Sequence, residues 1–213
     1  MRANETFFIE GPTGRLEALL IRPERPPLAA AVVCHAHPLH GGMMHFKVVF
    51  RAAKALQRHA VAALRFNFRG VGLSAGSHDE GRGEQQDVRA AIDEMARRFP
   101  GLPLLAGGFS FGSVMALAAA AQDARVRAAF ALGYPIARAG DDSHLGSLRV
   151  PRLFVQGERD EFGPREAIER LVARLPEPKQ LHVIPESDHF FNHHLEPMQE
   201  RVEAWVATRP WAA

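Results

Sequence analysis

From Leu28 onward the chain repeats one alternation, a short apolar run followed by a stretch with helical spacing. The apolar runs at 28–34 (LAAAVVC), 61–68, 102–109, 126–134, 151–157 and 179–185 predict strands. Helical patterns fall at 47–60, 83–99, 111–122, 164–175 and 195–209. Strands that alternate with helices need crossover connections, so the pattern predicts a mostly parallel sheet covered on both faces. Ahead of it, ETFFIEGPTGRLEALLIRPERPP (5–27) holds two apolar stretches around Gly11, Pro12 and Gly14, a hairpin signal that makes the sheet mixed. With 213 residues, 46% of them hydrophobic, the chain has material for one sizeable core, and one α/β domain over 1–213 is expected.

In such sheets ligands bind beyond the carboxyl ends of the strands, so polar residues just after strands carry the functional signal. Three places qualify: His35 to Gly42, Ser110, and the pair Asp160 with His189. Ser110 stands between the buried run LPLLAGGF and a helix, within Gly108-Phe109-Ser110-Phe111-Gly112. Taken alone it could be a helix N-cap, since serine accepts a hydrogen bond from the free N–H groups of a first turn. The pattern G-x-S-x-G between strand and helix also describes a sharp turn that lifts a nucleophilic hydroxyl above a sheet. A serine nucleophile needs a base and an orienting carboxylate. Asp160 lies three residues beyond the strand end at Gly157, and His189 four residues beyond Pro185. Glu158 and Glu161 flank Asp160, Asp188 adjoins His189, and His193 and His194 follow at the entrance of the last helix.

The order Ser110, Asp160, His189 resembles that of the α/β-hydrolases, as do the loop after Gly157, the Asp188-His189-Phe190-Phe191 segment and RFNFRGVGLSAG (65–76). The resemblance spans essentially the whole chain. It implies an α/β-hydrolase fold, and the family's spacing after Gly157 selects Asp160 as the acid and His189 as the base. Many members insert a lid in the segment corresponding to 135–150, but here it can hold only a short helix or loop. An open, shallow site bordered by Phe109, Phe111, Leu39 and Phe190 is therefore expected, with Phe109 and Phe190 touching substrate.

CHAHPLHGGMMHF (34–46) holds four histidines. His35, His37 and His40 could be imidazole ligands for zinc, although no carboxylate or cysteine set accompanies them. Acyl transfer instead needs two N–H donors aimed at the oxyanion, one from the residue after the nucleophile, Phe111, and one from the loop after the third strand. Pro38 has no N–H, which leaves His37 or Leu39, with a slight preference for Leu39. The run is also similar to a subgroup of small bacterial α/β-hydrolases that carry HPHP followed by GG, departing from it at Ala36.

The resemblance implies a serine hydrolase that cleaves a small carboxylic ester or thioester through an acyl-enzyme, without cofactor or metal. The rival readings are a non-catalytic binding protein of the same fold, a peptidase and a metal-dependent hydrolase. Charge argues against nucleic acid: 26 basic and 24 acidic residues leave a net +2, with no basic stripe. A lone cysteine, Cys34, ends an apolar run and is expected to be a buried, inert thiol in a reducing compartment. No signal peptide or membrane-length apolar run is visible, so a cytoplasmic location with no membrane partner is expected.

Overall fold

The computed structural model describes residues 4–140 and 142–209. Every strand and long helix expected from the alternation is present, with ends moved by a residue or two. Strands β1 (Glu5–Gly11) and β2 (Gly14–Ile21) form the hairpin. Strands β3 (Ala29–Cys34), β4 (Val61–Phe66), β5 (Leu104–Phe109), β6 (Val126–Leu132), β7 (Arg152–Gly157) and β8 (Lys179–Ile184) run parallel to one another. Across the sheet the order is β1-β2-β4-β3-β5-β6-β7-β8, with β2 antiparallel to both neighbours.

The helices are α1 (Lys47–Arg58), α2 (Arg82–Arg98), α3 (Phe111–Ala120), α4 (Ser143–Ser147), α5 (Arg165–Arg174) and α6 (Leu195–Ala207). Strand side chains alternate between faces, and the two core layers follow that period. In β5, Leu105 and Phe109 pack with residues of α1 and α6, whereas Leu104 and Ala106 pack with residues of α2, α3 and α5. Every residue of β3 and β5 is buried, which explains why their runs are apolar without alternation.

The chain leaves β3 through α1 toward β4, and leaves β5 through α3 toward β6, in opposite directions along the sheet. The crevice outside the carboxyl ends of the adjacent β3 and β5 is thus a topological switch point, where open α/β sheets bind ligands. Between β6 and β7 lie one turn of 3-10 helix (Ile136–Arg138) and the short α4, and no cap domain is found among the described residues.

Buried polar pairs hold the neighbouring loops. The guanidinium of Arg69 makes a bidentate pair with Asp87 of α2, with Nη2 2.7 Å from Oδ1 and both side chains nearly inaccessible. Ser74 Oγ donates to Asn67 O at 2.7 Å and accepts from Glu17 N–H at 2.9 Å, so the stretch 65–76 is pinned to β2. Cys34 is buried, and burial pushes its thiol well above the usual range, as an inert thiol requires.

Candidate active site

Ser110 sits where β5 turns into α3, with φ 53° and ψ −125°. A non-glycine residue there is strained by about 1–3 kcal/mol and persists only when its surroundings dictate it. Two constraints do so. The Ser110 N–H donates to Leu132 O of β6 at 2.9 Å. Glycines on either side allow backbone contact, since a Cβ on Gly108 would lie 2.6 Å from Cys34 O and one on Gly112 2.3 Å from His35 O. The Ser110 side chain makes no capping bond to α3. Its hydroxyl lies 2.9 Å from His189 Nε2.

His189 Nδ1 lies 2.8 Å from Asp160 Oδ2. A carboxylate only accepts, so Nδ1 carries the proton and Nε2 is the free acceptor facing the serine. Asp160 is held on every side. Oδ1 accepts from Phe162 N–H (2.9 Å) and Gly163 N–H (3.0 Å), and Oδ2 also accepts from Gln156 Nε2 (2.7 Å). Gln156, fully buried in β7, accepts from Tyr134 N–H through Oε1 at 2.9 Å. The sequence reading missed Gln156, whose signal was a polar residue following the apolar run Leu153–Val155 within a buried strand.

The His189 ring is enclosed by Phe162, Phe109 and Phe190, with centroids 4.6, 5.1 and 5.2 Å away. Asp188 faces elsewhere, accepting from Asn192 N–H and Nδ2. His193 is exposed, and His194 is the N-cap residue of α6.

The histidine loop divides by role. His35 is fully buried: Nδ1 donates to Ala36 O (2.7 Å) and Nε2 accepts from Phe68 N–H (3.0 Å), while burial lowers its pKa to about 4. His37 caps a 3-10 turn (Pro38–His40) and accepts Leu39 N–H on Nδ1 at 3.2 Å. Leu39, the preferred second oxyanion donor, therefore has its N–H engaged, and its side chain is 70% exposed away from the cavity. The N–H groups of Phe111 and His37 bond to no described residue. The His37 ring lies tilted between those of His40 and His78, each centroid 4.7 Å away, and burial followed by these neighbours holds its pKa below the usual value.

Beside Ser110 opens a cavity of about 560 Å³. Phe111, Val114, Met115, Pro135 and Phe162 form an apolar wall, while His37, His40, Glu80 and Arg138 supply polar groups and Phe190 adds a half-open edge. Phe109, expected to touch substrate, is instead fully buried under His189 and stacks on Phe46 with centroids 5.5 Å apart. As the last residue of β5 it points into the layer below the sheet, away from the cavity. No three side chains of the metal-ligating types are grouped to hold an ion among the described residues.

Residues 29–207 match a family model described as an alpha/beta hydrolase domain. The chain belongs to this alpha/beta hydrolase family. An alpha/beta serine hydrolase homologue from Coxiella burnetii is 34% identical, with a TM-score of 0.91 over 97% of this chain and 99% of the other. An alpha/beta serine hydrolase without a lid from Xanthomonas campestris is 33% identical, with a TM-score of 0.87 over 99% and 98% of the two chains. An uncharacterized protein of Rickettsia prowazekii (strain Madrid E) is 32% identical over 95% of this chain and 88% of its own length. No helix of this alpha/beta hydrolase is long and apolar enough to cross a membrane among the described residues.

Proposed function

We propose that the protein is a serine hydrolase that cleaves carboxylic esters or thioesters through an acyl-enzyme. The observation that carries the reading is the continuous chain from Asp160 through His189 to Ser110, with links of 2.8 and 2.9 Å, opening into the cavity. Ser110 Oγ attacks the acyl carbon as its proton passes to His189 Nε2. Asp160 holds the tautomer and stabilises the imidazolium. The tetrahedral oxyanion is received by the N–H groups of Phe111 and His37; loss of one such donor typically costs about 10²–10³ in turnover. Collapse expels the alcohol or thiol, which takes the proton from His189, and water attacks the acyl-serine by the reverse proton path.

This chemistry draws on no cofactor. The substrate is a small molecule whose acyl group lies against the Phe111, Val114 and Met115 wall, and Phe190 borders it. The run His35-Ala36-His37-Pro38 followed by Gly41-Gly42 supports placing the chain with the HPHP–GG subgroup, since a Cβ on Gly42 would lie 2.1 Å from Ala36 O.

The test is p-nitrophenyl acetate hydrolysis and fluorophosphonate labelling of wild type and Ser110→Ala. Wild type is expected to turn over the ester and label at Ser110, and the variant to do neither while folding normally. A variant as active as wild type removes the assignment, and a folded wild type that neither labels nor hydrolyses points to a binding module.

A further inference from the structure

Among the described residues one guanidinium lines the cavity, that of Arg138, which belongs to the 3-10 turn after β6. Two contacts fix it. Ala137 N–H donates to Phe162 O at 3.1 Å, which ties the turn to the loop carrying Asp160, and the guanidinium carbon of Arg138 lies 4.6 Å over the Phe162 ring. The Phe162 ring stands edge-on to His189 at 4.6 Å, so the cation is held one aromatic ring away from the imidazole that faces Ser110. Among the described residues Arg138 has no carboxylate partner and its side chain makes no hydrogen bond. A guanidinium stacked on a ring still presents its N–H edge, the geometry that takes a carboxylate through two parallel hydrogen bonds. Glu80, on the loop before α2, is the opposing charge on the cavity and also lacks an ion-pair partner there.

We propose that Arg138 is a specificity residue and that the preferred substrates are esters carrying a carboxylate a few bonds from the scissile carbonyl. This rests on the serine-hydrolase reading. The guanidinium receives the carboxylate at the far side of the Phe162 ring while the ester carbonyl reaches Ser110, and Glu80 disfavours anions placed elsewhere in the cavity.

Two matched pairs test it: p-nitrophenyl hydrogen adipate against p-nitrophenyl hexanoate, and 3-acetoxybenzoic acid against its methyl ester. Each gives a ratio of kcat/KM, anionic over neutral, after subtraction of spontaneous hydrolysis. In at least one pair Arg138→Gln should lower that ratio about tenfold and Arg138→Lys should lower it less, since lysine retains the charge but not the fork. Glu80→Gln should raise the ratio, and about 0.5 M salt should narrow it in wild type. The pair that responds tells whether the carboxylate sits on the acyl or the alcohol side. Ratios in both pairs that move by less than about twofold in Arg138→Gln overturn the proposal. In that case Ser110-dependent hydrolysis of the neutral esters leaves the parent reading intact, whereas neutral hydrolysis that survives Ser110→Ala breaks the parent reading itself.

Discussion

His35 after β3 and His189 after β8 are two buried imidazoles with both ring nitrogens engaged, and they differ in both partners. His35 donates to a peptide oxygen and accepts from a peptide N–H; the Ala36 carbonyl favours the charged ring, but burial outweighs it and takes its pKa down to about 4. His189 donates to a carboxylate and faces a hydroxyl that can give up a proton. A buried imidazole is a structural brace when its partners are neutral dipoles, and His189 differs in having a carboxylate behind it and a hydroxyl in front of it.

The largest test of this contrast replaces the carboxylate. Asp160→Asn keeps the shape but presents an amide to His189, favouring the wrong tautomer, and kcat for ester hydrolysis should fall about 10⁴-fold while thermal stability changes little. The next test acidifies His35. Its pKa in the fold lies below that of the unfolded chain, so the unfolded chain takes up the proton first. The stability it supports is complete above the ordinary pKa of 6.5 and is lost as pH falls toward about 4. Denaturant titrations should show up to about 3 kcal/mol of loss over that window from this residue, and a folded His35→Gln variant should lose correspondingly less. The smallest effect concerns Gln156, which positions Asp160 without touching substrate. Gln156→Met should lower kcat about tenfold, because the two backbone N–H bonds to Asp160 Oδ1 remain. A much larger loss would mean that Gln156 alone orients the acid.

The parts of this molecule legible in the sequence are those governed by local period. The apolar runs and helical stretches define the sheet, and strand ends mark where Ser110, Asp160 and His189 emerge. Residues whose partners are remote in sequence were not legible. Asp87 meets Arg69 across 18 positions and Ser74 meets Glu17 across 57, and neither spacing corresponds to any local repeat. That the His37 side chain engages the Leu39 N–H is likewise invisible to spacing. Phe109 could have been placed correctly, since period two along β5 puts it with Leu105, facing away from the cavity. The cavity lining joins Val114, Met115 and Phe162, brought together from a helix and a distant loop.

The bare Cα of Gly112 has a further consequence. It lies against the His35 carbonyl, so α3 and the histidine loop touch backbone to backbone, and this contact gauges how far apart Phe111 N–H and His37 N–H can be. The proposed anion pocket thus sits beside a contact that a single added carbon would break.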